Sequence, residues 1–310
     1  GQFREGSGSM GINPSATLAA VRSHREMAVH AMDVDGRVEP RRLRRISLDE
    51  GPNDIVFLDE RTILANNAYE LVIADAEDGN VLRSASSVGR SFVFSPKHQR
   101  VFVGGSSSSA AAIAIHDSRS RTLEIAGSVA RSPAAASDDR GLIETIALSP
   151  SEDTLATGSW NSEVRLWRVD DLMRANGGVG RPMTVPSVHL GNHRGWVSAS
   201  AFVDDVRLLT AGWDGALIEW DLRKRAAVHH AYEHHGYITA LTLDPERRRA
   251  ATGASDGRIV VWFGLLPLAL SLEDLRWRTE ASTPATSTVR PYHRIGIAPT
   301  GPFAPACFIV

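Results

Sequence analysis

The sequence predicts an all-β protein built from repeated four-stranded antiparallel units, and three observations lead there. The first is an order of elements that recurs. Residues 142–168, "LIETIALSPSEDTLATGSWNSEVRLWR", and 237–263, "YITALTLDPERRRAATGASDGRIVVWF", both read as apolar strand, turn, small-residue strand, turn and a strand ending in Trp; "WVSASAF", "RLLTAG" and "GWDGALIEWD" follow the same order between 196 and 221. The second is a fixed interval from Thr157 to Trp167, Thr210 to Trp220 and Thr252 to Trp262, with Asn161, Asp214 or Asp256 six residues before the Trp. The third is the period. Taking the residue after that Trp as the mark gives 168, 221 and 263, and extending it backwards finds Asp33, Asp75 and Asp117, so that three of the five steps are 42 residues. One such sheet cannot bury both its faces alone, and four short strands per period of this length are the spacing of β-propeller blades.

The units follow in order along one domain, 1–310. Those at 1–45, 46–86 and 87–127 keep the period and the strand alternation but carry Met32, Ala74 and His116 where the later units have Trp. The steps of 51 and 53 residues are lengthened by inserted loops, one at 128–140 before the unit at 141–188 and one at 174–188 within it. Units at 189–230 and 231–275 follow, the second with "GLLPLALSL" (264–272) expected as its outer strand, and a Ser/Thr/Pro-rich linker spans 276–291. Seven such units need 294 residues, but the register traces six, and 292–310 has room for two strands of a partial seventh blade. The expectation is a fragment, or a propeller whose last blade is completed by another segment.

These residues resemble the WD-repeat β-propeller family. The resemblance implies a buried hydrogen-bond relay in each blade, made by His before the first strand, Ser or Thr in the second, Asp in the turn and Trp in the third. His193, Thr210, Asp214 and Trp220 match one complete set, and His234, Thr252, Asp256 and Trp262 match another. A buried carboxylate and imidazole are costly unless each is hydrogen-bonded, and once bonded they fix one arrangement of the turn. The unit ending at Arg168 has Asp139 in the His position and Asn161 in the Asp position, so its relay is expected to be incomplete.

Composition excludes several function classes. At 43% hydrophobic residues the chain can bury a large core, and a net charge of −2 leaves no electrostatic footprint for direct nucleic-acid or anionic-membrane contact. No apolar run reaches the roughly 18 residues that a membrane helix needs. A single cysteine, Cys307, precludes an internal disulfide. Arg41, Arg42, Arg44 and Arg45 fall on an expected outer strand and Arg247 to Arg249 on a turn, where solvated charge protects a sheet edge. Gly6, Gly8 and Gly11 satisfy G-x-G-x-x-G, yet no strand precedes them and Asn13-Pro14 follows where a phosphate-binding helix should start. "HHAYEHH", 229–235, invites a metal-site reading, but His234 is claimed by the relay. No catalytic residue, cofactor or metal is expected.

Trp213 immediately precedes the turn Asp, Trp160 holds the same position one blade earlier, and Ser255 one blade later. The resemblance implies a contact point there, on the face around the central channel where partner proteins dock. Nothing in the local sequence explains such rings by packing, and large aromatics anchor binding hot spots. Trp196 and Tyr237, one residue before their first strands, are expected to reach the same rim. The expected function is a non-catalytic protein–protein interaction scaffold, a subunit of a multi-protein assembly inside the cell, in cytoplasm or nucleus. A Trp-Asp-x-Arg box at Trp220, Asp221 and Arg223 supports an alternative, the substrate receptor of a cullin-type ubiquitin ligase. A propeller enzyme is the third reading; it calls for carboxylates, His or metal ligands around the channel, which the recognisable units do not supply.

Overall fold

A computed structural model describes residues 10–23, 26–32, 38–47, 53–67, 69–86, 89–105, 111–119, 123, 125–130, 141–175, 183–244, 249–263 and 304–308. Its strands form six four-stranded antiparallel sheets, each in sequential order, the blades of a propeller. Blade 1 holds β1 (Met10–Ile12), β2 (Leu18–Ser23), β3 (Glu26–Met32) and β4 (Val38–Ser47), and blade 2 holds β5 (Asp54–Phe57), β6 (Thr62–Asn66), β7 (Glu70–Asp75) and β8 (Val81–Ser86). Blade 3 is β9 (Gly89–Ser95), β10 (Arg100–Gly105), β11 (Ala111–Asp117) and β12 (Ile125–Ala130). Blade 4 is β13 (Ile143–Leu148), β14 (Thr154–Ser159), β15 (Glu163–Arg168) and β16 (Ser187–Asn192), with the helix α1 (Val169–Met173) after β15. Blade 5 is β17 (Val197–Asp204), β18 (Arg207–Gly212), β19 (Leu217–Asp221) and β20 (Ala226–Ala231). Blade 6 is β21 (Ile238–Leu243), β22 (Arg249–Ala254), β23 (Ile259–Phe263) and β24 (Ala304–Phe308).

The core is divided among the seams between consecutive blades. First strands pack on first strands from β1 to β21, which makes them the inner strands of the ring. Each seam has its own apolar cluster: Met27 with Ile63 between blades 1 and 2, Leu71 with Val101 between 2 and 3, Phe102 with Trp167 between 3 and 4, Val164 with Trp220 between 4 and 5, and Leu209 with Trp262 between 5 and 6. The alternation of β strands explains this, because successive side chains point to opposite faces and both faces of a middle blade are covered. The Trp face of blades 4, 5 and 6 rests on the blade before it.

The seams close tightly where the second strand carries Gly. A Cβ at Gly104 would lie 2.6 Å from Ile143 Cγ2, and one at Gly158 would lie 2.4 Å from Val197 Cγ1, the first residue of the next inner strand. The small side of one sheet thus receives a branched side chain from the next.

Three elements differ from the sequence expectation. The C-terminal segment begins no seventh blade: β24 pairs antiparallel with β23, with Phe263 opposite Ala304, and completes the sixth sheet. Backbone pairing at a free sheet edge tolerates many sequences, so pattern alone could not decide between this stretch and 264–272. That apolar stretch and the linker at 276–291 lie outside the described residues, as do residues 131–140 and 176–182 of the two loops. In blade 4 the outer strand β16 runs past the boundary expected at 188, and α1, which no sequence signal announced, buries Val169 and Leu172 in the seam with blade 3. The arginines 41, 42, 44 and 45 lie on β4, the outer strand of blade 1, while Arg247 and Arg248 fall outside the described residues.

Candidate functional site: buried relays and an aromatic rim

The relay residues of blade 5 come together as one chain of hydrogen bonds. The Trp220 indole donates to Thr210 Oγ1 at 2.8 Å, His193 Nε2 lies 2.7 Å from the same oxygen, and His193 Nδ1 lies 3.1 Å from both oxygens of Asp214. An indole can only donate. The arrangement that pairs every proton therefore sends the Thr210 hydroxyl proton to His193 Nε2 and places the imidazole proton on Nδ1, facing the carboxylate. Asp214 also accepts the backbone N–H of Arg194 at 2.8 Å and of Ala216 at 3.1 Å. Burial works against its ionisation, but the hydrogen bonds from His193, Arg194 and Ala216 outweigh it and hold the carboxyl below its ordinary range.

Blade 6 repeats the arrangement with one change. Trp262 donates to Thr252 Oγ1 at 2.8 Å and His234 Nε2 lies 2.8 Å from that oxygen, but His234 Nδ1 stands 3.5 Å from Asp256 Oδ1. The residue two after the Thr explains the difference. In blade 5 it is Gly212, where a Cβ would fall 2.7 Å from His193 Nδ1 and 2.8 Å from Asp214 Oδ1; in blade 6 it is Ala254, whose Cβ needs the wider pair.

The other blades use what their sequences provide. Trp167 donates to Thr157 Oγ1 at 3.0 Å, and Asn161 hydrogen-bonds to Ser159 and to the backbone N–H of Glu163. Asp139 lies outside the described residues. In blade 3 the Trp position holds His116, fully buried with Nδ1 2.8 Å from the Leu123 carbonyl. Burial lowers its pKa, against a smaller upward pull from that hydrogen bond.

On the rim where the inner strands begin, four rings form a continuous stack across blades 4 to 6. Trp160 lies on Trp196 at 3.9 Å with 4° between planes, Trp196 on Trp213 at 4.1 Å and 31°, and Trp213 on Tyr237 at 4.7 Å and 22°. Backbone hydrogen bonds set the spacing. The residue before each inner strand accepts the N–H of the turn residue of its own blade: Leu142 from Trp160 at 3.0 Å, Trp196 from Trp213 at 2.8 Å, and Tyr237 from Ser255 at 2.9 Å. Exposure grows toward the Tyr237 end: Trp160 and Trp196 are half-buried, Trp213 is 38% exposed and Tyr237 51%. Sequence reasoning found no packing partner for Trp213; the structure gives it two, so its ring has a structural role as well.

Blades 3 and 4 extend the stack with two residues that sequence reasoning missed. Trp160 Nε1 donates to Glu144 Oε2 at 2.8 Å, the Arg90 guanidinium lies over the Trp160 ring at 5.2 Å, and Arg90 reaches Glu144 at 3.8 Å. Burial pushes the Glu144 carboxyl up, with the Trp160 hydrogen bond and Arg90 pulling it down by less. No local motif signals this trio, since it forms only when two blades meet.

The remaining expected residues are separate from the rim. In the Trp-Asp-x-Arg box Trp220 is 3% exposed inside the relay, Asp221 accepts the N–H groups of Arg223 at 2.9 Å and Lys224 at 3.0 Å, and Arg223 is exposed. Gly11 lies in β1 against Ile55, and Gly6 and Gly8 lie outside the described residues. Among the described residues no group of three or more His, Cys, Asp or Glu is placed to hold a metal ion, and no helix is long and apolar enough to cross a membrane.

Comparison with known proteins agrees with this architecture. The family "WD domain, G-beta repeat" matches residues 135–168 and 227–262. The chain is similar to proteins named ribosome biogenesis protein WDR12 homolog. It is 32% identical to that of Culex quinquefasciatus over 96 residues, 27% of this chain and 22% of the relative. It is 34% identical to that of Drosophila persimilis over 89 residues, 27% and 21% of the two chains, and 29% identical to that of Aedes aegypti over 145 residues, 39% and 33%. The matches thus span a fifth to a third of those relatives' length.

Proposed function

The chain is a β-propeller built on WD repeats, and from that premise we propose that it is a non-catalytic scaffold, a subunit of a multi-protein assembly, whose partners dock on the rim that carries Trp160, Trp196, Trp213 and Tyr237. The single observation that carries the reading is the four-ring stack. Stacked rings have few rotamers left to lose, so a partner meets a preorganised apolar surface with polar edges, the chemistry of hot spots. The relays serve a different end: that of blade 5 holds the turn from which Trp213 projects.

Catalysis has no part in this proposal. The carboxylates whose pKa burial raises, half-buried Glu144 and buried Glu219, are engaged by Trp160 and Arg90 and by His229 and Arg207, and they sit in different blades. Direct contact with nucleic acid has none either. The relatives' printed role makes ribosome assembly the first process in which to look for the partners, with the cytoplasm and nucleus as the compartments.

The test is purification of the tagged full chain from its own cells under mild conditions, with quantitative mass spectrometry and sizing. A fixed set of proteins recovered in constant ratio, migrating with the chain as one large species, supports a scaffold. A chain that elutes alone, at its own mass of 33.5 kDa, contradicts it.

A further inference from the structure

We propose that the rim selects its partner by one aromatic side chain, which the partner lays on the second face of the Tyr237 ring, beside Ser255. The inference rests on the proposed function and names what the partner brings to that site. In blade 5, Trp196 lies between two rings, Trp160 of the blade before it at 3.9 Å and Trp213 of its own turn at 4.1 Å. In blade 6, Tyr237 has the first of these neighbours, Trp213 of the blade before it at 4.7 Å, but its own turn offers Ser255 in place of a ring. The other rings of the stack have two neighbours each, Trp160 being held between Trp196 and the Arg90 guanidinium. Tyr237 has one, and it is the most exposed ring of the four.

The backbone gives the place beside Tyr237 the dimensions of an indole. The Ser255 N–H donates to the Tyr237 carbonyl at 2.9 Å, as the Trp213 N–H does to the Trp196 carbonyl at 2.8 Å. A Cβ on the glycine before each ring would lie 2.8 Å from the Asp256 nitrogen at Gly236 and 2.9 Å from the Asp214 nitrogen at Gly195. The two turns are therefore set alike against their inner strands, and the Ser255 side chain starts where that of Trp213 starts. Its hydroxyl turns back to accept the Tyr237 N–H at 2.9 Å. Ser255 thus does not fill the space that the Trp213 indole takes beside Trp196.

The surrounding charges favour a neutral ring over a guanidinium. At the other end of the stack, Arg90 caps Trp160 with a carboxylate to pair with, Glu144 at 3.8 Å. Thr239 holds the place of Glu144 in blade 6, one residue after the Ile that opens the inner strand. Asp256, next to Ser255, accepts the N–H groups of His235 at 2.9 Å and Arg258 at 3.0 Å and stands 3.5 Å from His234. A partner's Arg would find there no equivalent of the pair that holds Arg90, whereas a Trp, Tyr or Phe needs only the ring face. Within blade 6, Phe263 and Ala304 pair at the opposite end of the sheet from Ile238 and Ala254, so the connection between β23 and β24 starts and ends away from the rim. The proposed function places the partner at this end.

The experiment has two arms, both on the full chain. In the first, purified protein with ring-labelled tyrosine is titrated with N-acetyltryptophanamide or N-acetylargininamide, and the Tyr237 ring resonances, identified by their loss in Tyr237→Phe, are followed. The expected result is an upfield, saturating shift with the tryptophan amide, none with the arginine amide, and none with either in Ser255→Trp, whose indole occupies the place. No shift in the parent, an equal shift with both amides, or a shift that persists in Ser255→Trp overturns the proposal; the first of these is the result if residues of this chain or of a second copy already cover the ring. In the second arm, the affinity for the co-purified partner is measured for Ser255→Trp and Ser255→Ala where circular dichroism shows both folded. Ser255→Trp is expected to weaken binding about three- to tenfold and Ser255→Ala to leave it at the parent's value. A partner that binds Ser255→Trp like the parent but is lost with Trp213→Ala overturns this inference and leaves the rim reading standing; a partner indifferent to all three variants overturns both.

Discussion

The Trp220 indole and the Thr210 hydroxyl meet at 2.8 Å across two neighbouring strands, and the same pair recurs as Trp167 with Thr157 at 3.0 Å and Trp262 with Thr252 at 2.8 Å. In blade 5 the hydroxyl also faces His193 Nε2. Thr210→Val therefore leaves two buried ring nitrogens without that partner, whereas Thr157→Val leaves the Trp167 indole. At roughly 1 to 3 kcal/mol for each stranded group, Thr210→Val is expected to destabilise more than Thr157→Val, and Arg223→Ala, on the surface, hardly at all. Denaturant unfolding of the three variants checks the order.

The His–Asp separation in blades 5 and 6 follows the side chain two residues after the Thr. Gly212→Ala is expected to widen the pair of His193 and Asp214 toward the 3.5 Å seen between His234 and Asp256, at a cost of about 1 to 3 kcal/mol. Ala254→Gly should let the sixth-blade pair close. The imidazole Nδ1–H resonances report both: a downfield signal from blade 5 should vanish in the first variant and one from blade 6 appear in the second.

Asp214 and His116 give the stability a pH dependence of known sign. The folded Asp214 carboxyl is held below its ordinary value, so its contribution is complete at neutral pH and is lost as pH falls below about 4 and through the folded value. The folded imidazole of His116 is likewise lowered, by burial, so the unfolded chain takes up a proton first and stability declines as pH falls below about 6.5. Asp214→Asn should flatten the lower window and His116→Gln the upper one, read from unfolding midpoints against pH.

The ring stack makes a spectroscopic prediction. Indoles at 3.9 Å and 4° couple their transitions, so the circular dichroism of the native chain should carry an exciton couplet that Trp196→Phe removes and Trp220→Phe leaves. Trp213→Ala breaks two ring contacts and is expected to cost about 1 to 3 kcal/mol, at 0.5 to 1.5 for each. Trp220→Ala opens a cavity in a seam and should cost about 3 to 5.

The blades were legible in the sequence to the extent that local chemistry marks them. The Thr–Trp interval and the Asp–Gly turns depend on residues close in the chain, and they located β14 and β15, β18 and β19, and β22 and β23. The period carried the reading through blades 1 to 3, where Met32, Ala74 and His116 replace the Trp, because alternation survives the loss of one anchor. What depends on a neighbouring blade left no local trace: the stacking of Trp213 on Tyr237, the link from Trp160 to Glu144, and the seat of Val197 over Gly158. The outer strand of blade 6 was misplaced for the same reason, since β23 accepts at its edge any extended segment that reaches it.

The central claim, that partners dock on the rim, is tested most directly by the affinity of the purified chain for its co-purified partners before and after Trp213→Ala, measured at a temperature where circular dichroism shows the variant folded. The account predicts a loss of about 2 kcal/mol or more, roughly thirtyfold in Kd, with the stoichiometry unchanged. An affinity equal to the parent's would contradict it, and would leave the stack a purely structural brace between blades 4, 5 and 6.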